Sequence, residues 1–337
     1  MARVTAAQVA KQAGVSVATV SLVVNGKDVG RVLPETRDRV LRVVAELGYR
    51  PDLRGRGLST GRSQTIAFLA PDIANPFYGR VQVGILRELD RDFRLVTVTP
   101  PPGEPLTVDY VQNAIDLGVD GLIIVSSAWP NEKNDLSLPP SVFLDGPKTP
   151  GPWSHVDLDV ESSGRALARH LRELGHTAIL YLEANTNSPT LRRRQAAFTK
   201  EFKKGRAGRS GARTVSVDYS AIDTDLTRSW MHGHQEAWAS VTAIVCATDL
   251  QAYGVILSLK ELGIEVPNQV SVAGGEDLPT SRLIEPSLTT AHYPAEELGA
   301  IGLSHLLSLL KGETGPVELE LPTEFVARAS TAVVRAS

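Results

Sequence analysis

Cysteine is almost absent from this sequence, since Cys246 is the only one among 337 residues. A lone cysteine cannot form an internal disulfide, and the apolar run around it favours a small buried side chain. Long apolar runs are absent too: residues 121–125 and 243–247 are far too short to span a bilayer. Residues 1–14 contain no apolar signal-peptide core, so we expect a cytoplasmic protein.

Catalytic motifs are also missing. No G-x-S-x-G nucleophile elbow or G-x-G-x-x-G loop follows a predicted strand, and no Walker phosphate loop occurs. His232 and His234 are close in sequence, but two histidines fall short of the ligand set of a zinc site. We therefore expect no enzyme activity, no catalytic residue, no bound metal and no cofactor.

The charge is unevenly distributed along the chain. Residues 1–62 contain 11 basic and 5 acidic side chains, a net charge of +6, whereas residues 63–337 contain 24 and 33, a net charge of −9. A basic segment on an acidic body indicates that the segment meets a polyanion and the body does not. A solvated basic tail is the alternative, but the apolar pattern of the segment argues against it.

The basic segment has the pattern of three short helices. Thr5 opens a capping box, and Gly14 supplies the left-handed residue that ends the first helix. Ser16 caps a second helix, and residues 34–47 form a third, amphipathic helix that stops at Gly48. Two helices joined by a tight glycine turn, with a third closing the core, form a helix-turn-helix unit. Combined with the charge, this pattern favours DNA binding over a small structural bundle.

Residues 9–25 read V-A-x-x-A-G-V-S-x-x-T-V-S-x-V-x-N, and the third helix ends in G-Y-R-P. These strings resemble the DNA-binding head of the LacI/GalR family of repressors, and the resemblance continues through the rest of the chain. It implies a helix-turn-helix domain at 1–48, a hinge at 49–62 and an effector-binding and dimerisation core at 63–337. The N-lobe is expected at about 63–158 and 292–322, and the C-lobe at about 159–291 and 323–333.

The second helix presents mostly small and apolar side chains to DNA. Short hydroxyl and amide groups on it suit phosphates, and the family's binding mode places Val17, Ala18 and Leu22 in the major groove. The resemblance also implies that Leu58 of the hinge wedges into the minor groove and that Arg56 matches the family's arginine. A flexible basic linker is the alternative for this glycine-rich stretch. The predicted DNA contacts are Thr5, Ser16, Val17, Ala18, Thr19, Ser21, Leu22, Asn25, Arg56 and Leu58.

From Gln64 onward, short apolar strands alternate with amphipathic helices, which predicts parallel sheets covered by helices. Together with the resemblance, this gives an N-terminal all-α helix-turn-helix head and an α/β core like the type I periplasmic binding proteins, with two parallel-sheet lobes. The predicted strands lie at 65–70, 94–98, 121–125, 141–145, 178–183, 214–218, 243–247 and 270–274.

Ligands of parallel sheets bind beyond the carboxyl ends of the strands. Aromatic, hydroxyl and charged side chains follow several strands here, a mixture that suits a sugar-like ligand. Phe77 could instead be a core residue, Asp249 a helix cap and residues 192–194 a solvated face. Thr248 and Glu276 stand where the family has asparagine and aspartate. The predicted effector contacts are Asn75, Phe77, Tyr78, Asp145, Arg194, Tyr219, Thr248 and Glu276.

We therefore predict a homodimeric transcriptional repressor that binds a pseudo-palindromic DNA operator and responds to a carbohydrate effector. No heptad segment follows the last strand, which favours a dimer over a tetramer. Induction and co-repression both stay open. The alternatives are a sugar-binding transport protein and a sugar-active enzyme with a fused DNA-binding head.

Overall fold

The computed structural model describes residues 4–49, 63–101, 104–129, 136–146, 153–186, 188–205 and 213–334. The chain divides into two compact units, residues 1–63 and 64–337. None of the described helices is by itself long and apolar enough to cross a membrane. The first two helices reach that length and apolarity only as a pair bent by 103°.

The first unit consists of three helices, α1 (Ala6–Ala13), α2 (Val17–Val24) and α3 (Pro34–Leu47). The predicted capping box is present: Thr5 Oγ1 accepts from the Gln8 amide at 3.3 Å, and Gln8 Oε1 accepts from the Thr5 amide at 2.8 Å. Gly14 ends α1 with φ +64°, where a left-handed residue is needed. The core is made almost entirely of small side chains: Val9, Ala10, Ala13, Val20, Val23, Val40 and Val43.

One lobe of the second unit contains a six-stranded parallel sheet. Its strands are β1 (Thr65–Leu69), β2 (Arg94–Val98), β3 (Gly121–Val125), β4 (Ser141–Leu144), β5 (Ser154–Leu158) and β11 (Glu318–Leu321), in the order β11-β5-β4-β3-β1-β2. Its helices are α4 (Pro76–Glu88), α5 (Val108–Asp116) and α11 (Ala295–Lys311). We call this the N-lobe.

The C-lobe contains a four-stranded parallel sheet in the order β7-β6-β8-β9. Its strands are β6 (Ala178–Ala184), β7 (Thr214–Ser220), β8 (Ala243–Cys246) and β9 (Ser271–Ala273). Its helices are α6 (Val160–Glu173), α7 (Pro189–Phe202), α8 (Thr224–Gly233), α9 (Gln235–Trp238) and α10 (Asp249–Glu261).

The chain passes between the lobes three times. It does so after β5, after β10 (Thr290–His292) and after β11, and β10 pairs antiparallel with β12 (Glu324–Val326). Bridges from Ala273 and Glu276 to residues 289 and 292 join β10 to the end of the C-lobe sheet. Each lobe is therefore assembled from separate pieces of chain.

Helices α4 and α11 cross in direct backbone contact. A Cβ atom on Gly84 would overlap the carbonyl oxygen of Glu296, and one on Gly299 would overlap that of Val81. The two glycines let the helices approach closely, so larger side chains at either position would push them apart. This crossing fixes the direction of α4, whose first residues face the cleft between the lobes.

The predicted fold class and all eight predicted strands are confirmed, with ends that differ by at most two residues. Strands β5, β10, β11 and β12 were not predicted. Strands β10 and β12 have only three residues each, and β11, with the sequence Glu-Leu-Glu-Leu, is largely exposed. Tertiary pairing forms these strands, since their own apolar pattern is too short or too polar to indicate a strand.

Candidate functional site

Helix α2 buries one face against the core and exposes the other. Val20 and Val23 are buried, whereas Val17 is 49% exposed and Ala18 and Ser21 are also exposed. Leu22 is half-buried at the edge of the exposed face. The exposed face is therefore mainly apolar, as the sequence indicates, and it carries few long polar side chains.

The short polar groups of α2 largely bond to their own backbone. Ser16 Oγ accepts from the Thr19 amide at 3.1 Å, and the two hydroxyl oxygens are 2.9 Å apart. Asn25 donates to the Ser21 carbonyl oxygen at 2.6 Å. These groups stay near the surface with capacity for further hydrogen bonds, since a hydroxyl both donates and accepts. Arg56 and Leu58, the predicted hinge contacts, lie outside the described residues.

In the body, Asn75 and Glu276 meet across the cleft between the lobes. Asn75 caps α4, its Oδ1 accepting from the Phe77 amide at 2.9 Å, and its Nδ2 donates to Glu276 Oε1 at 3.3 Å. Glu276 follows β9 with φ +117°, a conformation that side chains rarely adopt and that costs about 1–3 kcal/mol. Both side chains are buried. The strand ends of opposite lobes thus converge on one place.

Asp145 follows β4 on the N-lobe side of the same cleft. It is 9% exposed and also adopts a positive φ, +52°. Its carbonyl oxygen accepts from the Thr190 hydroxyl of the C-lobe at 3.2 Å. Burial, and next the nearby charge of Asp157, raise the pKa of the Asp145 carboxyl to about 7.

Two tyrosines complete the wall of the cleft. Phe77 stacks edge-on against Tyr78, with ring centroids 5.3 Å apart, and against Tyr293 at 6.3 Å. Phe77 is itself buried in the N-lobe core, so its side chain supports the tyrosine rings. Burial, and next the charge of Asp145, raise the pKa of Tyr78. The Tyr78 hydroxyl is therefore close enough to the Asp145 carboxyl to interact with its charge.

Arg194 is the largest fully buried side chain of the described residues. It lies on α7, and its guanidinium donates to the carbonyl oxygens of Ala247 at 2.8 Å and Gly274 at 2.5 Å. It thereby ties together the ends of β8 and β9. Burial, and next the charge of Asp249, raise the pKa of Glu276 to about 8, while Arg194 opposes that shift.

Thr248 and Asp249 have mainly structural contacts. Thr248 is the buried cap of α10 and forms a capping box with Gln251. The Asp249 carboxylate accepts from the Leu278 amide at 2.8 Å and from the hydroxyls of Ser281 and Thr290 at 2.5 and 2.6 Å. It ties the loop after β9 to α10, so it does more than cap a helix.

Tyr219 stands apart from the other predicted residues. It lies near the end of edge strand β7 and is 57% exposed, whereas the remaining predicted effector residues are buried or half-buried. The structure therefore brings Asn75, Tyr78, Asp145 and Glu276 together, with Phe77 and Arg194 behind them.

Sequence reasoning missed the contacts that bridge the lobes at the rim. Arg193 pairs with Asp157 at 2.8 Å and donates to the Leu158 carbonyl oxygen at 3.4 Å. Arg80 donates to the carbonyl oxygen of Asp277 at 3.4 Å. Tyr293, which lies just after β10, was also missed. Arg193 and Arg80 lie on helices and Tyr293 follows a three-residue strand, so only the fold brings them to the cleft.

The two histidines near residue 233 have other partners. His232 Nε2 is 2.9 Å from Glu261, which also pairs with Arg228 at 2.9 Å, and His234 Nδ1 is 2.9 Å from the Trp230 carbonyl oxygen. Within the part of the chain that the structure describes, no group of three or more histidine, cysteine, aspartate or glutamate side chains could hold a metal ion.

A helix-turn-helix unit and a two-lobed α/β body with a polar cleft define a DNA-binding protein with a ligand-binding body. Residues 5–52 match the model of the bacterial regulatory proteins of the lacI family, and residues 168–331 match a periplasmic binding protein-like domain. The chain is 30% identical to the HTH-type transcriptional regulator MalR of Streptomyces coelicolor, over 97% of this chain and 96% of that protein.

Solved structures are similar as well. The Lac repressor dimer bound to operator and the anti-inducer ONPF aligns with a TM-score of 0.78 and 25% identity, over 98% of this chain and all of that chain. A LacI family regulator from Enterococcus faecium with bound ribose aligns with a TM-score of 0.72 and 26% identity, over 80% of this chain and all of that chain. The chain belongs to the LacI family, and it is a DNA-binding transcriptional regulator.

Proposed function

We propose that this protein is a homodimeric repressor whose affinity for a pseudo-palindromic operator changes when a carbohydrate occupies the cleft between the lobes. The observation that carries the proposal is the convergence of hydrogen-bonding side chains from both lobes, above all Asn75 and Glu276 at 3.3 Å. A ligand that bonds to both lobes changes the free energy of the closed arrangement relative to the open one, which allosteric control requires.

The similar Lac repressor is a dimer on its operator, and the similar Enterococcus protein holds ribose. By that similarity we assign residues 1–48 to the DNA-binding domain, 49–62 to the hinge and 63–337 to the effector-binding and dimerisation core. The N-lobe would then comprise about 63–158 and 292–322, and the C-lobe about 159–291 and 323–333. An operator in the chromosome requires a cytoplasmic location.

The effector site of this proposal centres on Asn75, Tyr78, Asp145 and Glu276, whose polar groups face one another. Phe77 and Arg194 support them, and Thr248 acts through the start of α10. Tyr219 contributes only if the ligand extends toward β7, because its ring is mostly exposed. The DNA contacts are those of α2, namely residues 16–19, 21, 22 and 25, with Thr5 and the hinge residues Arg56 and Leu58.

A thermal-shift screen of the full-length protein against saccharides tests the effector part. A ligand at 100 times its dissociation constant adds about 2.7 kcal/mol to the free energy of unfolding. Gel-shift titrations with the operator, with and without each hit, then decide between induction and co-repression. A hit that leaves operator affinity unchanged contradicts the regulatory part of the proposal.

The two alternatives make different predictions. A transport protein would bind sugar without a specific DNA partner, and a sugar-active enzyme would convert the bound sugar. Several relatives of similar length are transcriptional regulators by name. Chromatography of each hit after incubation with the protein tests for turnover. Conversion of the sugar to a product would support the enzyme instead.

A further inference from the structure

Both faces of the cleft present buried carboxyl groups with an oxygen that has no partner. Asp145 Oδ1 on the N-lobe and Glu276 Oε2 on the C-lobe make no hydrogen bond within the described residues, and the side chains are 9% and 5% exposed. A buried polar atom without a partner is unfavourable, because it has lost its hydrogen bonds to water without a replacement. Both oxygens are therefore available to a ligand, and both are acceptors, or donors when protonated.

Among the described residues, the arginine buried beside them, Arg194, is already occupied. The Nη1 and Nη2 atoms of Arg194 bond to the carbonyl oxygens of Ala247 and Gly274. Gly275 lies directly against the same guanidinium, where a Cβ atom would overlap it. Only the Nε atom of Arg194 thus lacks a partner. Arg194 therefore cannot form the bidentate pair of hydrogen bonds by which arginine binds phosphate or carboxylate.

The arginines at the rim are occupied as well. Arg193 is paired with Asp157 at 2.8 Å, and Arg80 interacts with Glu296 at 3.6 Å and with the Asp277 carbonyl oxygen at 3.4 Å. Each would have to leave a carboxylate before it could bind an anionic ligand. The exchange of one carboxylate for another anion yields little net free energy.

Amides at the helix starts that face the cleft are capped by side chains of the same segment. The Phe77 amide at the start of α4 donates to Asn75 Oδ1 at 2.9 Å, and the Gln251 amide of α10 donates to Thr248 Oγ1 at 3.4 Å. The first residue of α10 is Asp249, whose carboxylate already lies at that helix start. A helix start attracts anions only while its amides and its positive end are unsatisfied.

On the basis of the proposed carbohydrate function, we propose that the cleft selects an uncharged saccharide and rejects its phosphorylated and carboxylated derivatives. Hydroxyl groups of a neutral sugar can donate to or accept from Asp145 and Glu276 in either protonation state. A phosphate or uronate would bring further negative charge next to two acids whose neighbouring arginines, Arg193 and Arg194, are already engaged. Like charges brought together at a buried contact repel each other strongly.

The electrostatics of the cleft agree with this assignment. Burial, aided by Asp157 near one acid and Asp249 near the other, raises the pKa of Asp145 to about 7 and that of Glu276 to about 8. Burial is the larger cause of both shifts and the neighbouring acid is the second, so an anion in the cleft would raise both pKa values further. Arg193 and Arg194 lower them only in part.

The test uses matched probe sets on the full-length protein by thermal shift and calorimetry. Each set contains a neutral sugar and its anionic forms: ribose with ribose 5-phosphate, glucose with glucose 6-phosphate and glucuronate, galactose with galactose 6-phosphate and galacturonate, and cellobiose with cellobionate. We expect at least one neutral sugar to bind and its anionic forms to bind about tenfold or more weakly.

A phosphate or uronate that binds as tightly as its neutral sugar overturns the selection for uncharged ligands and leaves the carbohydrate function standing. Absence of binding by every probe counts against the carbohydrate function itself, and the inference fails with it.

Variants supply a second readout once a neutral sugar has been found. Glu276→Gln and Asp145→Asn keep the shape of the cleft and remove one acid each, so the preference over the anionic form is expected to shrink by about threefold or more. Glu313→Gln, an exposed acid after α11, is the matched control and should keep the wild-type preference. An unchanged preference in both cleft variants would overturn the role assigned to the two acids.

Discussion

Asn75 and Glu276 lie 201 residues apart in sequence, yet Asn75 Nδ2 donates to Glu276 Oε1 at 3.3 Å between the two lobes. Because Asn75 also caps α4, the closed cleft is coupled to the start of a core helix. Asn75→Ala should lower the free energy of unfolding by about 1 kcal/mol through the lost cap. It should also weaken effector binding, whereas Asn75→Asp should keep the cap and lose the bond to Glu276. Denaturant titrations measure the loss of the cap, which only Asn75→Ala should show, and calorimetry measures effector binding, which both variants should weaken. Unchanged effector affinity in Asn75→Asp would contradict the bridging role.

The stability that Asp145 and Glu276 contribute should fall as the pH rises from about 4 to about 8. Asp145 and Glu276 have folded-state pKa values of about 7 and about 8, above the unfolded values of 3.8 and 4.5. Between those values the folded state binds more protons than the unfolded state, so stability is lost as the pH rises through the folded pKa values. Each group contributes a slope of up to about 1.4 kcal/mol per pH unit.

Thermal unfolding from pH 5 to pH 9 measures this dependence. Asp145→Asn and Glu276→Gln should each flatten the curve, since neither amide titrates. The exposed Glu313→Gln control should follow the wild type. If both cleft variants retain the full wild-type slope, the proton uptake belongs to other groups.

Arg194→Ala should reduce both stability and the response to effector. Removal of the guanidinium leaves the carbonyl oxygens of Ala247 and Gly274 without partners in the C-lobe, which should lower the free energy of unfolding by about 3 kcal/mol. Glu276→Ala is the cleaner test of the pocket, and it should abolish the response while operator affinity without effector stays near the wild-type value. Unchanged effector affinity in Glu276→Ala, measured by calorimetry, would show that the pocket is misassigned.

Leu58→Ala tests the hinge prediction, which rests on the sequence because Leu58 lies outside the described residues. A wedge acts by kinking the duplex at the operator centre, so its loss should weaken operator binding by about tenfold or more and non-specific binding little. Titrations with operator and scrambled DNA at one salt concentration provide the comparison. Equal losses on both DNAs would argue for a simple electrostatic linker.

The apolar face of α2 predicts readout of thymine methyl groups. Val17 is 49% exposed and Leu22 is half-buried beside it, so either side chain can meet a methyl group in the major groove. Replacement of the contacted thymine by uracil should weaken binding by about 1 kcal/mol, the scale of one lost methyl contact. Each thymine of the half-site can be replaced in turn in a competition assay. If none responds, the basic residues that flank α2 carry the specificity.

Local patterns predicted most of the fold. The capping box at Thr5 and the left-handed Gly14 are determined by short-range chemistry, and both appear as expected. Six of the eight predicted strands are buried along most of their length and can be recognised from their apolar composition, whereas β2 and β7 are mostly half-buried or exposed. Strand β11 is different, because its Glu-Leu-Glu-Leu pattern forms a strand only when β5 is beside it.

The cleft was predictable residue by residue, but its contacts were not. The positions after strands indicated Asn75, Asp145 and Glu276, since parallel sheets gather their carboxyl ends at one edge. Arg194 bonds to backbone oxygens, and Arg193 pairs with Asp157. These contacts depend on how two lobes with discontinuous sequences face each other. Tyr219 follows the same strand-end rule, yet it lies on an edge strand and is mostly exposed.

The chain connects the two lobes at three places. Two lobes joined by a single connection could rotate and translate independently. Two of the three connections here lead into or out of the β10–β12 pair, and together the three favour a hinge motion between the lobes. A ligand bound anywhere in the cleft would then be reported as the same quantity, the angle between the lobes. The three crossings lie outside the residues at the centre of the cleft, Asn75, Tyr78, Asp145 and Glu276, so these side chains can differ without a change in how the lobes are joined.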